Sequence, residues 1–162
     1  MLLFGVSAIY HTGTWSPRVW AFLRRFDHSN VFVLIAGSYT PFSLLLLDGT
    51  ARVALLATVW TGAILGVLFR IFWTDAPRWL YVPIYVGLGW AAIFWAGEFR
   101  AAGEPLVLAL IVLGGLLYTA GAVVYGVKRP NPAPRWFGFH EVFHTLTVAA
   151  FLAHYVGVWL VL

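Results

Sequence analysis

Apolar residues fall into six blocks, over 1–10, 31–47, 53–73, 79–97, 105–127 and 139–162, separated by short polar or basic breaks. The last five are long enough to cross a bilayer as helices. The pattern predicts transmembrane helices over 29–47, 52–73, 79–97, 105–127 and 138–162. The first block rises only about 15 Å at about 1.5 Å per residue, half of a hydrocarbon core about 30 Å thick. It reads as a partial helix over 1–11, the tail of a longer one. Met1 leads directly into Leu2, Leu3 and Phe4 with no basic stretch, so a secretory signal does not explain it. The chain is expected to begin inside a helix.

Between the first two blocks the period changes. Ser16 and Pro17 stand in N-cap and first-turn order, and Val19, Phe22, Leu23 and Phe26 fall on one helical face with Arg18 and Arg25 turned away. An interfacial helix over 16–26 is predicted, with Trp15 and Trp20 at headgroup depth and Arg24 reaching lipid phosphates. Pro41 and Pro83 are expected to kink their helices. Gly62 with Gly66, and Gly114, Gly115 and Gly121, are expected to let neighbouring backbones approach closely.

Composition agrees with a membrane solvent. Apolar residues make up 62% of the 162 and charged ones 10%, with a mean hydropathy of +0.87, too little polar surface to coat a water-soluble domain. The fold class expected is all-α, a polytopic transmembrane bundle forming one domain over 1–162. Without cysteine, any metal must be held by imidazole, carboxylate and water. The net charge of +4 does not point to nucleic acid, because the basic residues are interspersed with aromatics beside apolar runs rather than gathered into a phosphate groove. They mark membrane sidedness instead. Arg18, Arg24, Arg25, Arg70, Arg78, Lys128, Arg129 and Arg135 fall at one end of the spans, against Arg52 and Arg100 at the other. The first end is expected to be cytoplasmic and the C-terminus extracytoplasmic.

That orientation brings His11, Asp27, His140 and His144 to one depth. His140 and His144, four residues apart, project from one helix face at the spacing zinc uses for two ligands. His11 is the third expected ligand, and neutral imidazoles suit Zn2+. Ser7, one turn before His11, can support a ligand or a water, and Asp27 is open to two readings, a helix cap or a chemical role. His28 and His154 are expected to be structural. His154 lies about 15 Å deeper than His144 at about 1.5 Å per residue, too far to share an ion with it.

The ordered set Ser7-Ala-Ile-Tyr-His11, Asp27-His28, Leu34-Ile-Ala-Gly-Ser-Tyr-Thr-Pro-Phe42, Gly114-Gly-Leu-Leu-Tyr118 and Phe139-His-Glu-Val-Phe-His144 resembles the haemolysin III branch of the progestin and adipoQ receptor family, over essentially the whole chain. The resemblance implies a seven-helix membrane fold, of which this chain lacks the first helix and part of the second. It implies zinc held by His11, His140 and His144, with Asp27 and Ser7 beside it. Alkaline ceramidases belong to the wider superfamily, so it further implies a hydrolase of lipid amides or esters, with membrane lipids as partners, and bacterial members in the plasma (inner) membrane are linked to cytolysis.

In that reading Asp27 is the general base. Two others start from the same residues. His140-Glu141-Val142-Phe143-His144 satisfies H-E-x-x-H, in which Glu141 would activate water in a metalloprotease. Alternatively the zinc is structural, tying the first and last segments together in a sensor-like or channel-like protein.

Overall fold

The computed structural model describes residues 2–102 and 105–162 and is helical nearly throughout. Met1, which opens the first apolar block, lies outside the described residues. Helix α1 spans Leu2–Thr12, α2 Pro17–Leu46, α3 Gly49–Phe72 and α4 Arg78–Gly89. A 3-10 turn over Ala91–Trp95 leads into α5, Ala96–Ala102, and then come α6, Pro105–Val127, and α7, Phe139–Trp159. With α4 and α5 counted as one broken span, five helices are long and apolar enough to cross a membrane. The chain is an all-α transmembrane bundle.

In such a bundle lipid is as apolar as leucine, so small and polar residues turn inward and large apolar ones face out. Helix α3 shows this along its length. Leu55, Val59, Ala63, Gly66 and Arg70 are buried at helical spacing, whereas Ile64, Leu65, Leu68 and Phe72 are exposed. The glycines mark the closest approaches. A side chain at Gly66 would meet the ring of Phe32, and one at Gly62 would meet Leu88 at 2.6 Å. On α6, a Cβ at Gly121 would lie 3.5 Å from Phe143 and Leu146 of α7, and one at Gly114 would run into the ring of His154.

Two boundaries differ from the sequence expectation. The interfacial helix and the first full span are one continuous helix, α2, of 30 residues. At about 1.5 Å per residue it is about 45 Å long, so one end must project beyond a hydrocarbon core about 30 Å thick. The polar run Asp27-His28-Ser29-Asn30 lowers hydropathy as a loop does, but it contains no proline or glycine to stop the helix, and Ser29 and Asn30 are buried in the bundle. Asp27 is therefore a mid-helix residue and caps nothing. Arg24, expected at lipid phosphates, instead pairs with Asp75 at 3.2 Å and lies over the Trp20 ring.

The second difference is the broken fourth span. Helical structure continues through Pro41 and through Pro83, and the break comes at Trp90. Its freed backbone groups find partners within the bundle: the Tyr39 hydroxyl donates to Gly89 O at 2.5 Å and accepts the Ala92 N–H at 3.1 Å. The Trp90 indole donates to Thr119 Oγ1 at 2.9 Å. Irregular backbone at membrane depth is tolerated where protein supplies such partners or where it lines a cavity. Here both hold, because Gly89, Trp90 and Ala92 line an internal cavity of about 530 Å3 between α2, α4, α6 and α7.

Candidate metal centre

His11 sits in the last turn of α1. That turn is fastened by its own side chains: Thr12 Oγ1 donates to Ala8 O at 2.7 Å, and the Trp15 indole folds back to Ile9 O at 3.1 Å. Phe4 packs edge-on against Phe151 with centroids 5.3 Å apart, which holds α1 against α7. The start of α7 is fixed as firmly. Asn131 Oδ1 accepts the Phe139 N–H at 2.9 Å, and Glu141 Oε2 accepts the Gly138 N–H at 2.8 Å, one half of a capping box, since glycine has no side chain to return the bond. The Glu141 carboxylate, the base of the H-E-x-x-H reading, thus also serves the helix end.

These anchors bring three imidazoles together. His140 Nε2 lies 3.3 Å from His11 Nε2 and 3.1 Å from His144 Nε2. All three rings offer one ligand atom within a 4.8 Å span, with His11 exposed and the other two half-buried. Two ligands of tetrahedral zinc, each about 2.0–2.1 Å from the metal, are separated by about 3.3 Å. The donor set and spacing therefore fit zinc. A neutral imidazole carries one N–H, so three Nε2 atoms facing one another cannot all be satisfied by hydrogen bonds among themselves, whereas one cation satisfies all three. The C-terminal end of α1 favours that cation and the N-terminal end of α7 opposes it, an opposition that the carboxylates of Asp27 and Glu141 lessen. Among the described residues no fourth protein ligand joins the group.

Asp27 and Ser7 lie at this place too. The Ser7 side chain is the polar neighbour of the Asp27 carboxylate, and His11 is within its electrostatic reach. Asp27, Ser7, His140 and His144 all line the basic end of the internal cavity, whose walls below are almost wholly apolar. The two other histidines stand apart. His154 Nε2 is 3.2 Å from Ile111 O. His28 Nδ1 is 3.0 Å from Arg70 Nη2, and its carbonyl accepts the Tyr85 hydroxyl at 3.1 Å.

Sequence reasoning counted Arg70 only among the charges that mark the cytoplasmic end of the spans, yet it is only 1% exposed. Its guanidinium lies over the Tyr81 ring at 4.4 Å as well as against His28. The available signal was its position before Trp73, inside the apolar block. Nearby, Arg78 donates to Tyr125 O at 3.0 Å and lies over the Tyr125 and Phe139 rings.

Comparison with known proteins places this chain in a family. The haemolysin-III related family model matches residues 1–155. The chain belongs to the haemolysin III family. Among relatives, the hemolysin-3 homolog of Bacillus subtilis is 36% identical over 140 residues, covering 86% of this chain and 65% of that protein. Hemolysin-3 of Bacillus cereus is 35% identical over 127 residues, 76% of this chain and 56% of its own. The progestin and adipoQ receptor-like protein 1 of Caenorhabditis elegans is 25% identical over 175 residues, 98% of this chain and 40% of its own. This haemolysin III chain thus spans between about half and two thirds of the length of the bacterial relatives it matches. No solved structure matches it.

Proposed function

We propose that this haemolysin III protein is a zinc-dependent hydrolase of lipid amides or esters, working at the cytoplasmic face of a bacterial plasma membrane. The observation that carries the reading is the convergence of three Nε2 atoms at the polar mouth of an apolar cavity, with a carboxylate on the same wall. A purely structural ion needs neither the cavity nor Asp27.

His11, His140 and His144 would hold the metal. When bound, zinc supplies a Lewis acid beside the scissile carbonyl and acidifies water at neutral pH. The remaining work falls to the chain. The apolar walls take the acyl chain and leave the polar bond at headgroup depth. Asp27 accepts the proton of the attacking water and returns it to the leaving amine or alkoxide. The Ser7 hydroxyl steadies the Asp27 carboxylate, and the half-burial of His140 and His144 limits competing solvent.

The test is a mass-spectrometric screen of membrane lipids incubated with purified protein, with and without prior chelation. Loss of one amide- or ester-linked class with matching gain of free fatty acid, abolished by chelation, is expected. An unchanged lipid profile with the zinc-loaded protein would overturn the hydrolase reading.

A further inference from the structure

The connection between α6 and α7, residues 128–138, joins two membrane spans, so both of its ends lie at the bilayer surface. It is built to hold one shape. Asn131 fastens the ends together, its Nδ2 donating to Lys128 O at 3.1 Å and its Oδ1 accepting the Phe139 N–H at 2.9 Å. Pro130, Pro132 and Pro134 fix φ at three positions between them. An antiparallel bridge closes the tip, where Ala133 donates to Phe137 O at 3.0 Å and Phe137 donates to Ala133 O at 2.7 Å. A loop held this firmly nevertheless leaves the Trp136 ring 87% exposed, more than any other large apolar side chain among the described residues. Lys128, Arg129 and Arg135 are exposed beside it, with no acidic residue between Val127 and His140. Elsewhere at this end cations are already engaged: Arg24 pairs with Asp75 and Arg25 donates to Thr74. The three in the loop form no ion pair among the described residues.

We infer that this loop is a binding surface for the head groups of anionic phospholipids in the leaflet beside the metal centre. Indole rings favour the boundary between hydrocarbon and head groups, and guanidinium and ammonium groups bind phosphate oxygens. Trp136 seats the loop at that boundary, and Lys128, Arg129 and Arg135 take the phosphates. The occupant is a lipid rather than a soluble acidic protein because the two spans hold the loop against the bilayer, where an exposed indole finds an apolar neighbour without any partner having to arrive. Rigidity adds to the binding, since a loop fixed by Asn131 and three prolines gives up little freedom when a head group docks. The bound lipid would lie close to the start of α7, two residues before His140.

Native mass spectrometry of the full chain in mixed micelles of phosphatidylglycerol and phosphatidylcholine counts the lipids it keeps. Wild type is expected to retain phosphatidylglycerol over phosphatidylcholine by about tenfold or more, since each basic residue near a head group supplies about fivefold. The triple variant Lys128→Gln, Arg129→Gln, Arg135→Gln should retain the two lipids nearly equally, whereas Arg18→Gln, at the same end but outside the loop, should keep the preference. Oxidative footprinting of wild type in phosphatidylglycerol nanodiscs gives a second reading that needs no variant: Trp136 should be oxidised several-fold more slowly than in the denatured chain. Equal retention of the two lipids by wild type, or a preference that survives the triple substitution, overturns the inference. So does a Trp136 as reactive in nanodiscs as in the denatured chain, which would mean that the loop stands in water, free for a soluble partner. Neither measurement depends on zinc or on hydrolysis.

Discussion

Two groups of histidine occupy the basic end of this bundle, and they differ in what faces the ring. His11, His140 and His144 present Nε2 atoms to one another, 3.1 and 3.3 Å apart for the two close pairs. His28, one residue past Asp27, presents Nδ1 to the Arg70 guanidinium at 3.0 Å. Three acceptors in mutual contact make a place for a cation. An acceptor already occupied by a buried cation repels a second one. Imidazoles in one region of the protein are thereby sorted into candidate ligands and scaffold by their neighbours.

The contrast can be broken from either side. The largest effect is expected at Asp27, the carboxylate between the two groups. Asp27→Asn should lower lipid hydrolysis by about 100-fold or more, the usual worth of a general base, while zinc content stays unchanged. Turnover of that variant at the wild-type rate would remove Asp27 from the mechanism. On the scaffold side, Arg70→Leu deprives His28 of its partner and is expected to destabilise the protein by about 2–4 kcal/mol. A thermal melt in detergent should show a lower midpoint with zinc content retained; loss of zinc at full stability would mean that Arg70 serves the metal centre.

The smallest effect sharpens the role of the H-E-x-x-H pattern. Glu141 accepts the Gly138 N–H at 2.8 Å, a bond that a glutamine amide oxygen can also accept, so Glu141→Gln should cost less than about 0.5 kcal/mol and leave hydrolysis within about twofold. Abolished hydrolysis with a normal melt would return Glu141 to the role of base.

The spans and the approach of three histidines were legible because both rest on local regularities. Twenty-residue apolar blocks report crossing, and the four-residue interval of His140 and His144 reports a shared face. Charge counting then set His11 at the same level without any tertiary information. What sequence hid was settled between distant residues. Asp27 looks like a boundary because hydropathy falls there, yet α2 runs through it. The break at Trp90 depends on Tyr39, more than fifty residues earlier, whose hydroxyl takes up the loose ends. Arg70 is buried because His28 and Tyr81 meet it, and no periodicity in its own helix announces such partners.

The central claim is that the first and last helices share one metal ion, and metal analysis of the purified chain tests it most directly. Wild type should carry about one zinc per chain, and His11→Ala, which leaves the pair on α7 intact, should carry less than a tenth of that while remaining helical. Zinc retained at wild-type stoichiometry in His11→Ala, or no zinc in the wild type after growth with ample metal, would contradict the account.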